Sequence, residues 1–191
     1  MLGEVERKLG RVLAERARQT LVRPDKTVAA VLVPLLEVDR GIHLLFTRRS
    51  ADLPHHQGQV SFPGGVFDPL DGDLATTALR EAEEEIGLEP ARVRLLGALD
   101  DLETIRSRFV ITPYVGVVTP PYDWRPCPRE VDCVFTVDID VLSRPDAQRT
   151  ETWDFDGTSY PVDLYDVGGH VIWGATHRIT RNLLHILESA S

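Results

Sequence analysis

Glu81, Glu84 and Glu85 are the residues on which chemistry in this sequence would turn. Around them Ala75, Ala78, Leu79, Ala82 and Ile86 recur at three- and four-residue spacing, which predicts a helix with one face in the core. At ~100° per residue the three glutamates fall in one sector on the side opposite that apolar stripe, with Glu83 well away from them. Three carboxylates are therefore expected to converge. Asp73 is placed to cap the helix start, and Gly87 to end it as a left-handed residue. Like charges at i,i+4 repel by roughly a few tenths of a kcal/mol, so this packing needs an offset. A hard divalent cation, Mg²⁺ or Mn²⁺, would supply it, because such ions prefer carboxylate oxygens and fill their remaining positions with water and substrate phosphate. A solvated acidic helix face would carry the same residues, and from the glutamates alone both readings stay open.

The flanking residues add a register. Gly64-Gly65, followed by Arg80-Glu81-Ala82-Glu83-Glu84-Glu85-Ile86-Gly87-Leu88, resembles the Nudix box, in which Gly, Arg-Glu, an apolar residue, Glu-Glu, Gly and another apolar residue stand at fixed spacing. All nine positions from Arg80 agree. The generic box also has an acid eight positions before its Arg; here Gly72 stands there, between Asp71 and Asp73, and no role is assigned to an early acid. The resemblance implies metal-dependent hydrolysis of a phosphoanhydride. In it Glu81 and Glu85 are the primary metal ligands, Glu84 contributes directly or through water, and Arg80 orients a glutamate by a charge-assisted pair. Gly64 and Gly65 let the loop backbone approach closely. Glu130, in Arg129-Glu130-Val131, resembles the acid that precedes a late strand in many Nudix domains and is the candidate general base or extra ligand. An exposed strand-edge acid is the other reading of it.

The elements that must hold these residues are legible from pattern. Val5, Leu9, Val12 and Leu13 among charges predict an amphipathic helix over about 2–18. Strands are expected over 27–36 despite Pro34, over 41–47 as its hairpin partner, over 59–62 and over 93–99. Residues 109–118 contain Pro113 and are expected as an edge or bulged strand, not a central one. Alternation predicts a half-buried strand over 132–141, and Asp156-Gly157 a hairpin joining 153–155 to 161–165. Ile179, Leu183, Leu184 and Leu187 share one face of a closing helix over about 173–188. Strands outnumber helices without regular alternation, so the pattern reads as one α+β domain, 1–191, with a mixed sheet. The Nudix resemblance makes that a mixed sheet sandwiched between helices, with the box as loop-helix-loop over about 64–88.

Composition narrows the partners. With 21 basic and 30 acidic residues the chain carries a net charge of −9, which argues against a nucleic-acid backbone or an anionic membrane as main partner. A phosphate-bearing substrate would then need a metal or a local basic patch. Cys127 and Cys133 are too few for a disulfide scaffold and read as reduced thiols, hence a cytoplasmic setting. No apolar run approaches the ~20 residues needed to span a bilayer. Oligomeric state stays open.

The substrate is addressed by the segment before the box. Leu45-Phe46-Thr47-Arg48-Arg49-Ser50, then Gly58-Gln59-Val60-Ser61-Phe62-Pro63-Gly64-Gly65, resembles that segment in the coenzyme A pyrophosphatase branch of the Nudix family. Thr112-Pro113-Tyr114-Val115-Gly116 and Trp173-Gly174-Ala175-Thr176 look like segments of the same branch. Pro54 stands where the branch has a second Arg, so that charge must come from Arg48 or from His55 and His56. The resemblance implies that Arg48 and Arg49 bind substrate phosphate, although two solvated charges at a strand end would look alike. The implied reaction cleaves coenzyme A or its derivatives to adenosine 3′,5′-bisphosphate and 4′-phosphopantetheine or its acyl form. ADP-ribose, a dinucleotide or another nucleoside diphosphate derivative is the alternative substrate. A non-catalytic nucleotide-sensing module is the alternative of a different class.

Overall fold

A computed structural model describes residues 2–53, 57–104 and 108–189. In chain order it contains α1 (Leu2–Glu15), β1 (Thr27–Val38), β2 (Gly41–Arg49), β3 (Val60–Ser61), β4 (Gly64–Val66), α2 (Leu74–Ile86), β5 (Val93–Ala98), β6 (Leu102–Glu103), β7 (Phe109–Val118), β8 (Val131–Asp138), α3 (Ile139–Leu142), β9 (Gln148–Phe155), β10 (Thr158–Val167), β11 (His170–Trp173) and α4 (Gly174–Ser189). The main sheet runs β3-β2-β1-β7-β5, with β4 added to β1, β6 to β7 and β8 to β2. It is mixed, because β1 and β7 pair in parallel from Thr27↔Phe109 to Leu35↔Val117 while the other pairings are antiparallel. A second sheet, β11-β10-β9, packs beside it.

Side-chain alternation sorts the core into two layers. Val33 and Leu35 of β1 with Ile42, Leu44 and Phe46 of β2 face a cluster that includes Leu9 and Leu13 of α1 and Leu183 of α4. Ala30, Leu32 and Leu36 with Leu45 face the opposite way, onto Ala78, Ala82 and Ile86 of α2. The sheet is thus sandwiched between helices, α2 on one face and α1 with α4 on the other.

Three sequence expectations are corrected. First, β7 is not an edge strand, since β1 flanks one side and β5 with β6 the other. Pro113 is tolerated because its carbonyl, accepting from the Leu99 N–H at 2.9 Å, points to the gap between β5 and β6. A strand residue's nitrogen and carbonyl face the same flank, so no ladder bond is lost there. Pro34 sits at a similar break, between the stretch of β1 paired with β4 and that paired with β2. Second, the strand expected through Val141 stops at Asp138, whose carboxylate accepts from the Asp140 N–H at 2.8 Å and caps α3. Third, Trp173 ends β11, and the closing helix starts at Gly174 with φ of 62°. The expected two-residue turn does form, with Asp156 and Gly157 at φ of 55° and 80° between the paired Phe155 and Thr158.

Candidate active site

α2 is specified at both ends. The Asp73 carboxylate accepts from the Thr76 N–H at 2.7 Å, and Gly87 closes the helix at φ of 70° with its N–H on the Glu83 carbonyl. The Gly64-Gly65 turn lies against this helix because β4 pairs with β1 through Val31↔Gly64 and Ala30↔Gly65. Neither glycine has room for a side chain. A Cβ on Gly64 would stand 2.6 Å from Val31 Cα, and one on Gly65 would stand 2.5 Å from the carboxylate oxygens of Glu81.

The three glutamates do not share one exposed sector as expected. Glu84 points outward, while Glu85 is only 3% exposed and lies beside the core-facing Ala82 and Ile86. Helical geometry leaves Glu85 near the margin of the apolar stripe, and the turn at Gly64 covers that margin. Glu85 Oε2 accepts from the Gly64 N–H at 3.3 Å. Its Oε1 lies 3.9 Å from Arg49 Nη1. Desolvation pushes the Glu85 carboxyl up to about 8, opposed by Arg49 and the Gly64 N–H and reinforced by the charges of Glu81 and Glu130. Burial also raises Glu81, against the pull of Arg80.

Arg80 is the hub of the carboxylates. Its Nε and Nη2 hold Asp71 in a two-pronged pair at 2.8 and 3.1 Å, while Nη2 also reaches Glu81 at 2.9 Å and Nη1 reaches Glu84 at 3.0 Å. Asp71 accepts a further bond from the Thr77 hydroxyl at 2.7 Å. These partners, Arg80 first and Thr77 second, hold the Asp71 carboxyl down to about 2. Asp71 is therefore the site residue that sequence reasoning left without a role. The signal for it was present one position off the generic register, nine residues before Arg80, and the short 3₁₀ turn Pro69–Asp71 absorbs the offset.

The sheet delivers the remaining candidates by strand parity. Arg48 and Arg49 are neighbours on β2 and so face opposite sides. Arg49 reaches Glu85, and its Nε is buried without a hydrogen-bond partner. Arg48 pairs instead with Asp132, Nε to Oδ2 at 2.8 Å, and its charge bears on His170. The structure does not bring Arg48 to the box. Glu130 does come near, since its carbonyl accepts from the Ser50 N–H at 2.9 Å and its charge acts on both Glu81 and Glu85. Pro54, His55 and His56 lie outside the described residues.

The donor set fits a hard divalent cation. Glu81 and Glu85 are carboxylates withdrawn from water beside a third, Glu130, with Arg49 the cation nearest Glu85 and Arg80 already shared among Asp71, Glu81 and Glu84. Such an excess of buried negative charge is what a bound Mg²⁺ or Mn²⁺ relieves. Among the described residues no three such side chains are already gathered as a ready-made cage.

Residues 26–158 match the family model described as the NUDIX domain. The protein described as the uncharacterized Nudix hydrolase NudL, from Salmonella typhimurium and from Salmonella typhi, is 34% identical over 87% of this chain and 90% of its own. Among solved structures, a NUDIX hydrolase from Alicyclobacillus acidocaldarius superposes with a TM-score of 0.53 at 23% identity, over 63% of this chain and 82% of its own. RenU, a Nudix hydrolase from M. smegmatis, superposes with a TM-score of 0.52 at 20% identity, over 62% and 74%. The two superpositions establish a shared fold, and with the family match over the box, its loop and the sheet beneath them, the chain belongs to the Nudix hydrolase family.

Proposed function

We propose that this Nudix hydrolase cleaves the diphosphate of coenzyme A or its acyl derivatives, releasing adenosine 3′,5′-bisphosphate and 4′-phosphopantetheine or its acyl form. The observation that carries the reading is Arg49. It belongs to the segment that resembles the coenzyme A branch, and its guanidinium stands 3.9 Å from Glu85 with a buried Nε lacking a partner. The side chain as a whole is 29% exposed, so a substrate phosphate would meet its outer N–H groups.

Nudix hydrolases generally require divalent metal ions. Glu81 and Glu85 would hold Mg²⁺ or Mn²⁺ here, with Glu84 contributing directly or through water. The bound ion would act as a Lewis acid on the diphosphate and lower the pKa of coordinated water. Arg80 fixes the rotamers of Glu81 and Glu84 and is itself fixed by Asp71. Gly64 and Gly65 let the loop lie against β1 and the Glu81 carboxylate, and their bare backbone would let the diphosphate approach closely. Arg49 binds a phosphate oxygen. Glu130 accepts a proton as water oxygen bonds to phosphorus, the bridging P–O bond breaks, and the departing phosphate carries the released electron pair. Arg48 has less support as a phosphate ligand, because Asp132 already occupies it.

ADP-ribose, a dinucleotide or another nucleoside diphosphate derivative remains the second substrate reading, since the box is common to all. A binding-only module has less support, because a carboxylate buried to 3% exposure destabilises the fold without serving such a role. The setting proposed is cytoplasmic, with Cys127 and Cys133 both unbridged. No described helix is long and apolar enough to cross a membrane.

The test is a product assay with Mg²⁺ or Mn²⁺ on coenzyme A, dephospho-coenzyme A, ADP-ribose, NADH and nucleoside triphosphates. Preferential release of adenosine 3′,5′-bisphosphate supports the reading. Equal turnover of the first three removes the coenzyme A specificity, and absence of turnover with either metal moves the weight to a binding module.

A further inference from the structure

On the face of the sheet away from α2, α4 and α3 with the β9–β10 hairpin border a groove-shaped cavity of about 540 Å³ lined by Arg144, Arg178, Arg181, Asn182, Gln148 and Tyr165, among others. Three arginines on one lining in a chain of net charge −9 need a reason. Local carboxylates do not supply it. Arg178 donates to the backbone carbonyl of Glu103 at 3.0 Å, while the Glu103 carboxylate is held by Lys26 at 2.6 Å and Arg23 at 3.0 Å. Burial pulls the Arg178 pKa down, opposed by Glu103. Arg181 approaches Asp163 only to 3.9 Å, and Asp163 already accepts from the Thr150 hydroxyl at 2.7 Å. Arg144 has no side-chain ion pair among the described residues, and neither has Glu188, the one carboxylate on the lining.

Asn182 donates its Nδ2 to Asp100 Oδ2 at 3.2 Å, while its Oδ1 is buried with no partner. The Asn182 amide is thus turned toward Asp100, and the polar groups that the wall offers an oxyanion are its arginines. The volume is that of a small-molecule site.

We propose that this cavity is a second anion site, binding a small phosphomonoester whose phosphate is held by the arginines of its wall, Arg144, Arg178 and Arg181. Guanidinium recognises a phosphate dianion by paired N–H···O bonds, so binding relieves the mutual repulsion of the three arginines. The site is separate from the box, because α3 and α4 belong to the core layer opposite α2.

The experiment is isothermal titration of the full chain in EDTA, at fixed ionic strength set with chloride, using inorganic phosphate and ribose 5-phosphate as probes. Saturable binding is expected for both. It should weaken at least tenfold in the Arg178→Gln/Arg181→Gln double variant and stay unchanged in Glu85→Gln. Equal affinity in the double variant, loss in Glu85→Gln, or no saturable binding by the unmodified chain overturns the proposal. Should the double variant lose its thermal transition, Arg144→Gln replaces it, since that exposed side chain makes no hydrogen bond or ion pair among the described residues. A drop of threefold or more is then expected, and unchanged affinity refutes the site.

Discussion

Glu85→Gln should make the metal-free protein more stable while removing its metal response. The wild-type carboxyl titrates at about 8 in the fold against an ordinary 4.5. Because the folded state holds this proton more tightly than the unfolded chain does, the group's contribution is fully favourable below 4.5 and is lost as pH rises through about 8. Working the titration between those two values, its cost to the fold is about 1 kcal/mol at pH 5 and about 4 kcal/mol at pH 8, a loss of about 3 kcal/mol. The Gln carboxamide has no such titration and can still accept from the Gly64 N–H. Urea unfolding in EDTA at pH 5, 6, 7 and 8 measures this directly: the wild type should weaken relative to Glu85→Gln by about 3 kcal/mol across the series. Adding Mg²⁺ or Mn²⁺ at pH 8 should then restore the wild type and leave the variant unmoved, and turnover of the variant should fall by orders of magnitude. Parallel pH profiles for the two proteins in EDTA would refute the burial of Glu85 as an uncompensated acid. An equal response of both to metal would refute its role as ligand.

Other substitutions read separate parts of the same construction. Asp71→Asn keeps the shape of the acid but loses its charge-assisted pair with Arg80; metal-dependent turnover should drop about tenfold or more, as for other groups that orient ligands. Asp71, held down to about 2, stays ionised above its ordinary 3.8, so its contribution should disappear only as pH falls from that value toward 2. Gly65→Ala puts a methyl 2.5 Å from the Glu81 carboxylate oxygens, and displacement of that ligand should lower turnover about a hundredfold in a steady-state assay with little change in circular dichroism. Thr176→Val removes the buried bond from α4 to the Val60 carbonyl at 2.9 Å; thermal unfolding should fall by roughly 2–4 °C for about 1 kcal/mol lost.

The helix and its ends were readable because their causes are local. Asp73 and Gly87 act within a few residues of their own positions, and the apolar stripe needs only the helical period. The turn at Asp156-Gly157 is of the same kind. Pro113 misled because a missing N–H matters only if a neighbour would have bonded it, and the break between β5 and β6 lies far from Pro113 in the pattern that a single strand displays. Trp173 was assigned to a helix because the strand β11 is short and gains its stability from β10, which no local period encodes.

The site divides along the same line. By itself, the sequence determined which residue types are available: Glu81, Glu84 and Glu85 on one helix, two glycines before it, and an acidic balance that sends a phosphate ligand toward metal or arginine. Only the tertiary structure decided how those carboxylates differ. Pairing of β4 with β1 covers Glu85 and leaves Glu84 in solvent, and a 3₁₀ turn brings Asp71 onto Arg80. Strand parity sends Arg49 toward Glu85 and Arg48 away to Asp132. Desolvation and Coulomb energy depend on what surrounds a group in space, and residues distant in sequence supply those surroundings here.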